Sequence, residues 1–294
     1  MSLRVILSSV TPRAGEPPLR DTGFGTPVLC LHCSAASASQ WWSLCDQLRH
    51  RHRVMAPDLQ GYGASPHWAL GQRLTLMDEV RRIEPLLKAA RGPVHLVGHS
   101  FGGAVAARFA LAHPEMVRTL TLYEPVLFGL LCDDAGSATA LREIQTLDLD
   151  VRRALRRGDA ETAGEIFVDY WSGSSTWSAL GEDKRASVRE AMPKVCADFE
   201  AVFDDPLPAE AFAALGMPLL SLRGAAAPAP TRRVLERLAR VNPAMSPQII
   251  AGAGHMGPVT HAGPVNELIA RFLAAHSGEP RGVSEDTAAR EHAA

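Results

Sequence analysis

The stretch "VHLVGHSFGGAVA" at 94–106 carries the first chemical signal in the chain. An apolar run rich in β-branched residues breaks at Gly-His-Ser-Phe-Gly-Gly and continues as small residues of helical character. Gly98 and Gly102 leave room for a sharp turn from strand into helix, and Gly103 lets that helix start close to the sheet. Such a turn pushes the Ser100 hydroxyl out of the sheet edge. It also aims the first unbonded N–H groups of the helix at the same point. Ser100 is therefore expected to act as a nucleophile.

A serine hydroxyl at neutral pH is a poor nucleophile and needs a base. Of the 11 histidines, His50 and His52 lie at a helix end, His113 precedes Pro114, and His99 is inside the turn itself. His255 differs. It follows the last apolar run in "QIIAGAGHMGPVTH", between glycines, at the edge where Ser100 should emerge. It is the expected general base. "GAGHMG" also spells the spacing of a dinucleotide-binding turn, but Pro258 follows at once and no second strand–helix unit comes after it.

These residues need a scaffold, and the rest of the chain spells one. Short runs rich in β-formers ("RVILSSV", "PVLCLH", "RVMAPDL", "PVHLVGH", "VRTLTLY", "PLLSLRG", "PQIIAGA") alternate with helical patterns such as 72–90, 102–113 and 264–276. Strands apolar on every residue and separated by helices predict a mostly parallel central sheet with helices on both faces, an α/β architecture. Right-handed crossovers then gather the loops after the strands on one edge. The alternation stops once, from Val126 to Leu215, where only helical patterns occur. This insert holds 8 of the 17 aromatic residues and reads as a helical cap at 126–215. Its aromatics Phe128, Trp171 and Trp177 are expected to contact substrate, with Phe167 and Tyr170 adding apolar surface. Val195, Phe199 and Phe203 share one helical face and could equally build the insert's own core. The core is expected at 1–125 and 216–277, followed by a polar, aperiodic tail at 278–294 expected to be disordered.

At this level the chain resembles the α/β-hydrolase superfamily from 25 to 276. "VLCLHCSA" is similar to the family's strand ending in His-Gly, and "APDLQGYGASP" to its Pro-Asp-x-x-Gly-x-Gly-x-Ser loop. The serine turn and the late Gly-His complete the likeness. The resemblance implies an oxyanion hole built from the backbone N–H groups of Ser34 and Phe101. Asp58 reads as a hydrogen-bonding residue of its loop rather than a catalyst. The chain departs from the pattern twice. Cys33 stands where glycine is usual. In addition, the turn after "PLLSLRG", where family members commonly carry an acid, reads "GAAAP" and places Ala227 there. A substitute is Glu124 in "TLTLYEPVLF", at the end of the strand after the serine helix. Pro125 favours an extended Glu124 and removes the next ladder donor, so the strand stops there. Some branches of the superfamily, haloalkane dehalogenases among them, keep their acid after this strand. Glu124 is thus expected to orient His255.

The implied function is hydrolysis of a small, apolar carboxylic ester, thioester or lactone through Ser100, His255 and Glu124. Other Ser–His reactions on the same fold (carbon–carbon hydrolysis, acyl transfer, cofactor-free perhydrolysis) and a silent ligand-binding protein stand as alternatives. A serine nucleophile argues against dehalogenase or epoxide-hydrolase chemistry, which in this fold resembles an aspartate mechanism. No cofactor or metal is implied. A net charge of −2 favours neither nucleic acid nor an anionic membrane, and the hydrolase resemblance implies a small-molecule substrate as partner. No uncharged apolar run is long enough for a membrane span, and the N-terminal run is too short for a signal peptide. Five scattered cysteines (30, 33, 45, 132 and 196) fit free thiols of a reducing, cytoplasmic compartment, with "CLHC" lacking the second pair a metal or redox site needs.

Overall fold

The computed structural model describes residues 17–69, 71–90, 92–205 and 207–278. The strand expected at 4–10 and all but the first residue of the expected tail lie outside them. Among the described residues seven strands form one sheet: β1 (Leu19–Gly23), β2 (Thr26–Leu31), β3 (His52–Pro57), β4 (Val94–His99), β5 (Val117–Tyr123), β6 (Leu219–Gly224) and β7 (Gln248–Ile250). Their spatial order is β1-β3-β2-β4-β5-β6-β7. β1 runs antiparallel to β3, and every other pair is parallel.

The α-helices among the described residues are α1 (Trp42–Leu48), α2 (Leu76–Ala89), α3 (Phe101–Ala112), α4 (Ala138–Arg156), α5 (Ala160–Ser172), α6 (Thr176–Ala179), α7 (Glu182–Phe203), α8 (Ala229–Val241), α9 (Gly257–Thr260) and α10 (Ala262–Ala275). Alternation along the strands decides which face each residue serves. Val28 and Cys30 of β2 point to the side of Leu44 of α1 and Ile269 of α10. Leu29 and Leu31 point to the side of α2, α3 and α8. Because both faces are covered, β4 is buried at every position, which is why its sequence is continuously apolar apart from its histidines. Ile269 is fully buried, so truncation to alanine there costs about 2–5 kcal/mol.

β1 had no apolar signal. Its sequence is LRDTG, its residues are half-buried to exposed, and among the described residues it pairs with β3 alone. An Arg53–Asp21 ion pair holds it to β3, with Nη2 2.5 Å from Oδ2. Between β5 and β6, the segment that carries α4 to α7 contains no strand among the described residues. Since β4 to β7 are parallel, the residues that follow their C-terminal ends open on one edge. Ser100, Glu124 and His255 all follow such ends.

Candidate active site

Ser100 links β4 to α3 with φ 56° and ψ −119°. A non-glycine residue there costs about 1–3 kcal/mol and persists only where its surroundings hold it. Here they do: the Ser100 N–H donates to the Tyr123 carbonyl at 3.0 Å, and the Ser100 carbonyl accepts from Ala104 at 3.0 Å and Val126 at 3.3 Å. Gly98 cannot carry a side chain, since a Cβ there would lie 2.5 Å from the Gly102 carbonyl oxygen. The Gly102 N–H reaches the His32 carbonyl at 3.1 Å, which ties α3 to the loop after β2.

His255 is buried in the loop between β7 and α9. Its Nδ1 lies 2.8 Å from Oε2 of Glu124. With that nitrogen donating, neutral His255 presents the lone pair of Nε2. The Trp171 ring packs on the imidazole at 4.1 Å between centroids. From the other side His99 donates Nε2–H to the His255 carbonyl at 2.9 Å. Burial, with the neighbouring His255 second, holds His99 well below the ordinary imidazole range, so it stays neutral in that role.

Glu124 is fully buried, and its hydrogen-bond partners among the described residues are all donors. Besides His255, the Gly224 N–H reaches Oε1 at 2.9 Å and the Thr231 hydroxyl reaches Oε2 at 2.9 Å. That is the surrounding a carboxylate anion needs. The backbone differs from the extended form expected before Pro125, because Glu124 has φ 42°. Its N–H is bonded to the Leu222 carbonyl at 3.1 Å, and the turned backbone brings the side chain back over β6 toward Gly224 and Thr231. The strand does end at Tyr123. Ala227, in the turn without an acid, is buried, and its neighbour Ala226 donates to the Ala253 carbonyl at 2.9 Å.

A cavity of about 580 Å³ opens over this edge, and both Ser100 and His255 line it. Ser34 and Phe101 also line it. Among the described residues, the backbone N–H groups of Ser34 and Phe101 have no protein acceptor. Cys33 beside them is buried, and burial pushes its thiol up to about 12, which leaves it inert. Asp58 accepts from the N–H groups of Ala38 at 2.7 Å and Ala64 at 2.9 Å, the work of a loop-forming residue.

The insertion supplies the cavity's aromatic wall, with Phe128, Phe167, Trp171 and Phe199 among its residues. Trp177 does not reach the cavity. Its ring packs on Gly164 inside the insertion and its indole N–H donates to Glu161 at 2.9 Å. Its aromatic character had pointed to it, but a tryptophan with a carboxylate within reach of its N–H is satisfied in the interior.

Two features of the site escaped sequence reading. One is Thr231, an unremarkable residue at the start of α8 that becomes a Glu124 donor only through the fold. The other is a buried charged group on α7, Lys194 and Asp198, with Glu79 of α2 at 3.3 Å from the ammonium. Its signal was available: a lysine and an aspartate at i,i+4 inside the apolar face of Met192, Val195, Phe199 and Val202.

Residues 26–262 match the model of the alpha/beta hydrolase fold family, and the chain belongs to that family. The human serine hydrolase-like protein is 38% identical over 113 residues, covering 37% of this chain and 55% of the human one. A 2-hydroxy-6-oxo-2,4-heptadienoate hydrolase of Pseudomonas putida is 36% identical over 113 residues, covering 36% and 40%. The chain thus spans about half, or less, of the length of these curated relatives. Among solved structures, a thermophilic esterase from Thermogutta terrifontis superposes with a TM-score of 0.70 at 25% identity, over 88% of this chain and 93% of the esterase. MenH from S. aureus gives the same TM-score at 16% identity, over 88% and 98%, a likeness of fold. Among the described residues no helix is long and apolar enough to cross a membrane. Nor, among them, is any group of three His, Cys, Asp or Glu placed to hold a metal ion.

Proposed function

We propose that the chain is a serine hydrolase that cleaves a small carboxylic ester with an apolar acyl group. The observation that carries this reading is the 2.8 Å contact of His255 Nδ1 with Glu124, at a cavity that Ser100 and His255 share. His255 Nε2 takes the Ser100 proton as Oγ attacks the acyl carbon, and the carbonyl oxygen becomes an oxyanion. The N–H groups of Ser34 and Phe101 receive that charge, an interaction worth about 10²- to 10³-fold per donor in comparable sites. Collapse of the intermediate breaks the ester C–O bond, and the imidazolium returns its proton to the leaving alcohol. His255 then activates a water to release the acid from Ser100.

The size of the cavity, about 580 Å³, and the aromatic wall supplied by the insertion support an apolar acyl group in a site closed over by a cap. Esterase likeness in the Thermogutta terrifontis structure supports the same reaction class.

The test combines a fluorophosphonate probe with a series of p-nitrophenyl esters of increasing acyl length. Labelling and turnover are expected in the wild type and absent in Ser100→Ala, with the fold unchanged by circular dichroism. Undiminished turnover in Ser100→Ala overturns the nucleophile. No labelling and no turnover in the wild type leave a ligand-binding protein instead.

A further inference from the structure

The loop after β2 that presents the Ser34 N–H is held in an unfavourable shape. Ala35 has φ 54°, in the left-handed region that a Cβ disfavours. Such a backbone persists only where contacts around it over-determine it. On one side the Cys33 N–H donates to Oε1 of Gln40 at 3.0 Å. On the other the Ser34 hydroxyl donates to Oδ2 of Asp198 at 2.5 Å, reaching α7 of the insertion across 164 residues of chain. Tyr62 donates to the same oxygen at 2.5 Å.

Asp198 is in turn paired with Lys194, whose Nζ lies 2.5 Å from Oδ1. The ammonium is fully buried and sits over the Phe101 ring at 4.6 Å and the Tyr62 ring at 4.7 Å. The two residues expected to donate to the oxyanion therefore both touch one charged pair, Ser34 through its hydroxyl and Phe101 through its ring. A buried ion pair is weak ground for stability, because desolvating both charges offsets most of their attraction. Its placement here has another consequence: it makes the geometry of two backbone donors depend on where one helix of the insertion lies.

We propose that Asp198, backed by Lys194, is a positioning residue that fixes the Ser34 N–H toward the oxyanion and so couples seating of the insertion to catalysis. This rests on the ester-hydrolase reading above. Asp198 moves no proton in the reaction; it holds a donor in place through the Ser34 hydroxyl.

The test uses Asp198→Asn, Ser34→Ala, their double variant and Ser34→Thr. Readouts are kcat and KM on a p-nitrophenyl ester and the inhibition constant of an alkylboronic acid, whose tetrahedral Ser100 adduct mimics the oxyanion. Each of the first two changes is expected to lower kcat about 10- to 100-fold, less than outright loss of a donor, with KM within about threefold. Boronate affinity should weaken by the same factor as kcat. The double variant should be no slower than the slower single one, since both changes cut one link. Ser34→Thr, which restores the hydroxyl, should recover most of the rate.

If Asp198→Asn, which leaves Glu79 as the counter-charge of buried Lys194, unfolds the chain, Ser34→Ala with its Thr rescue decides alone. Unchanged kcat in Ser34→Ala, a loss confined to KM, or multiplicative losses in the double variant overturn the proposal in an otherwise active enzyme. A wild type without esterase activity or probe labelling instead overturns the hydrolase reading, and this proposal with it.

Discussion

The His255 imidazole and the Glu124 carboxylate lie 131 residues apart in the chain and meet at 2.8 Å, Nδ1 to Oε2. The meeting is arranged by parallel strands. Glu124 follows β5 and His255 follows β7, and β6 between them gives its last N–H, from Gly224, to the same carboxylate at 2.9 Å. The acid thus rests on the very strand whose following turn carries Ala227 in place of an acid.

Glu124→Gln keeps the shape and removes the charge that, in the proposed mechanism, orients His255. Turnover is expected to fall by about 10²- to 10⁴-fold, by analogy with the Asp→Asn change in a serine protease triad. Ala227→Asp alone should change little. Combined with Glu124→Gln it should recover part of the lost rate, since both positions flank the end of β6. Steady-state rates of the four proteins decide it, and near wild-type turnover in Glu124→Gln removes Glu124 from the mechanism.

Thr231→Val deletes one of the three donors to Glu124 at nearly constant volume. A hydrogen bond to a charged group contributes about 1.5–3 kcal/mol, so kcat should drop about tenfold or more. Thr231→Ser, which keeps the hydroxyl, should stay near the wild type. Equal rates in the Val and Ser variants mean that Glu124 is held well enough without this donor.

Trp171 and Trp177 should separate cleanly. Trp171 lines the cavity and packs on His255, so Trp171→Ala is expected to shift acyl-length preference and to lower kcat. Trp177 is interior to the insertion; Trp177→Ala should cost about 3–5 kcal/mol of stability and leave the preference as it was. Chain-length profiles and melting temperatures of both variants check this. A changed profile in Trp177→Ala would sink the assignment of that ring to packing.

His95 on β4 is buried between Thr119 and Ser277, with Nδ1 2.8 Å from the Thr119 hydroxyl oxygen. Burial first, then the neighbouring His52, lowers its pKa to about 3. A histidine depressed in the folded state contributes stability above its unfolded value near 6.5 and loses it as pH falls toward the folded value. Between pH 7 and 5 the loss from His95 alone is about 2 kcal/mol. Denaturant midpoints of wild type and His95→Asn across that range test it: the variant's curve should be flatter by that amount, and parallel curves contradict the assignment.

The alternation of apolar runs with helical periods was legible because it is local. β4 and β5 are buried on both faces and carry Val, Leu or Tyr at most of their positions, and the Gly-x-Ser-x-Gly turn follows from which side chains fit a tight strand-to-helix bend. His255 was legible for a similar reason, as a histidine between glycines after the last strand. β1 was not, because a half-exposed strand held by Arg53 and Asp21 has no reason to be apolar.

What tertiary structure alone decided is the choice of partners. No spacing in the chain says that the Thr231 hydroxyl and the Gly224 N–H converge on Glu124. Nor does any say that Trp177 finds Glu161 inside the insertion while Trp171 finds His255. Asp198 looks, in one dimension, like half of an ordinary i,i+4 pair with Lys194. Only the packing of α7 against the loop after β2 gives it the Ser34 hydroxyl. Local sequence determines which residues can form a strand, a helix or a sharp turn, since those depend on neighbours within a few positions. Which buried polar group satisfies which depends on contacts between elements far apart in the chain, 164 residues for Ser34 and Asp198, because a desolvated donor or acceptor must take whatever partner the packed elements bring within reach.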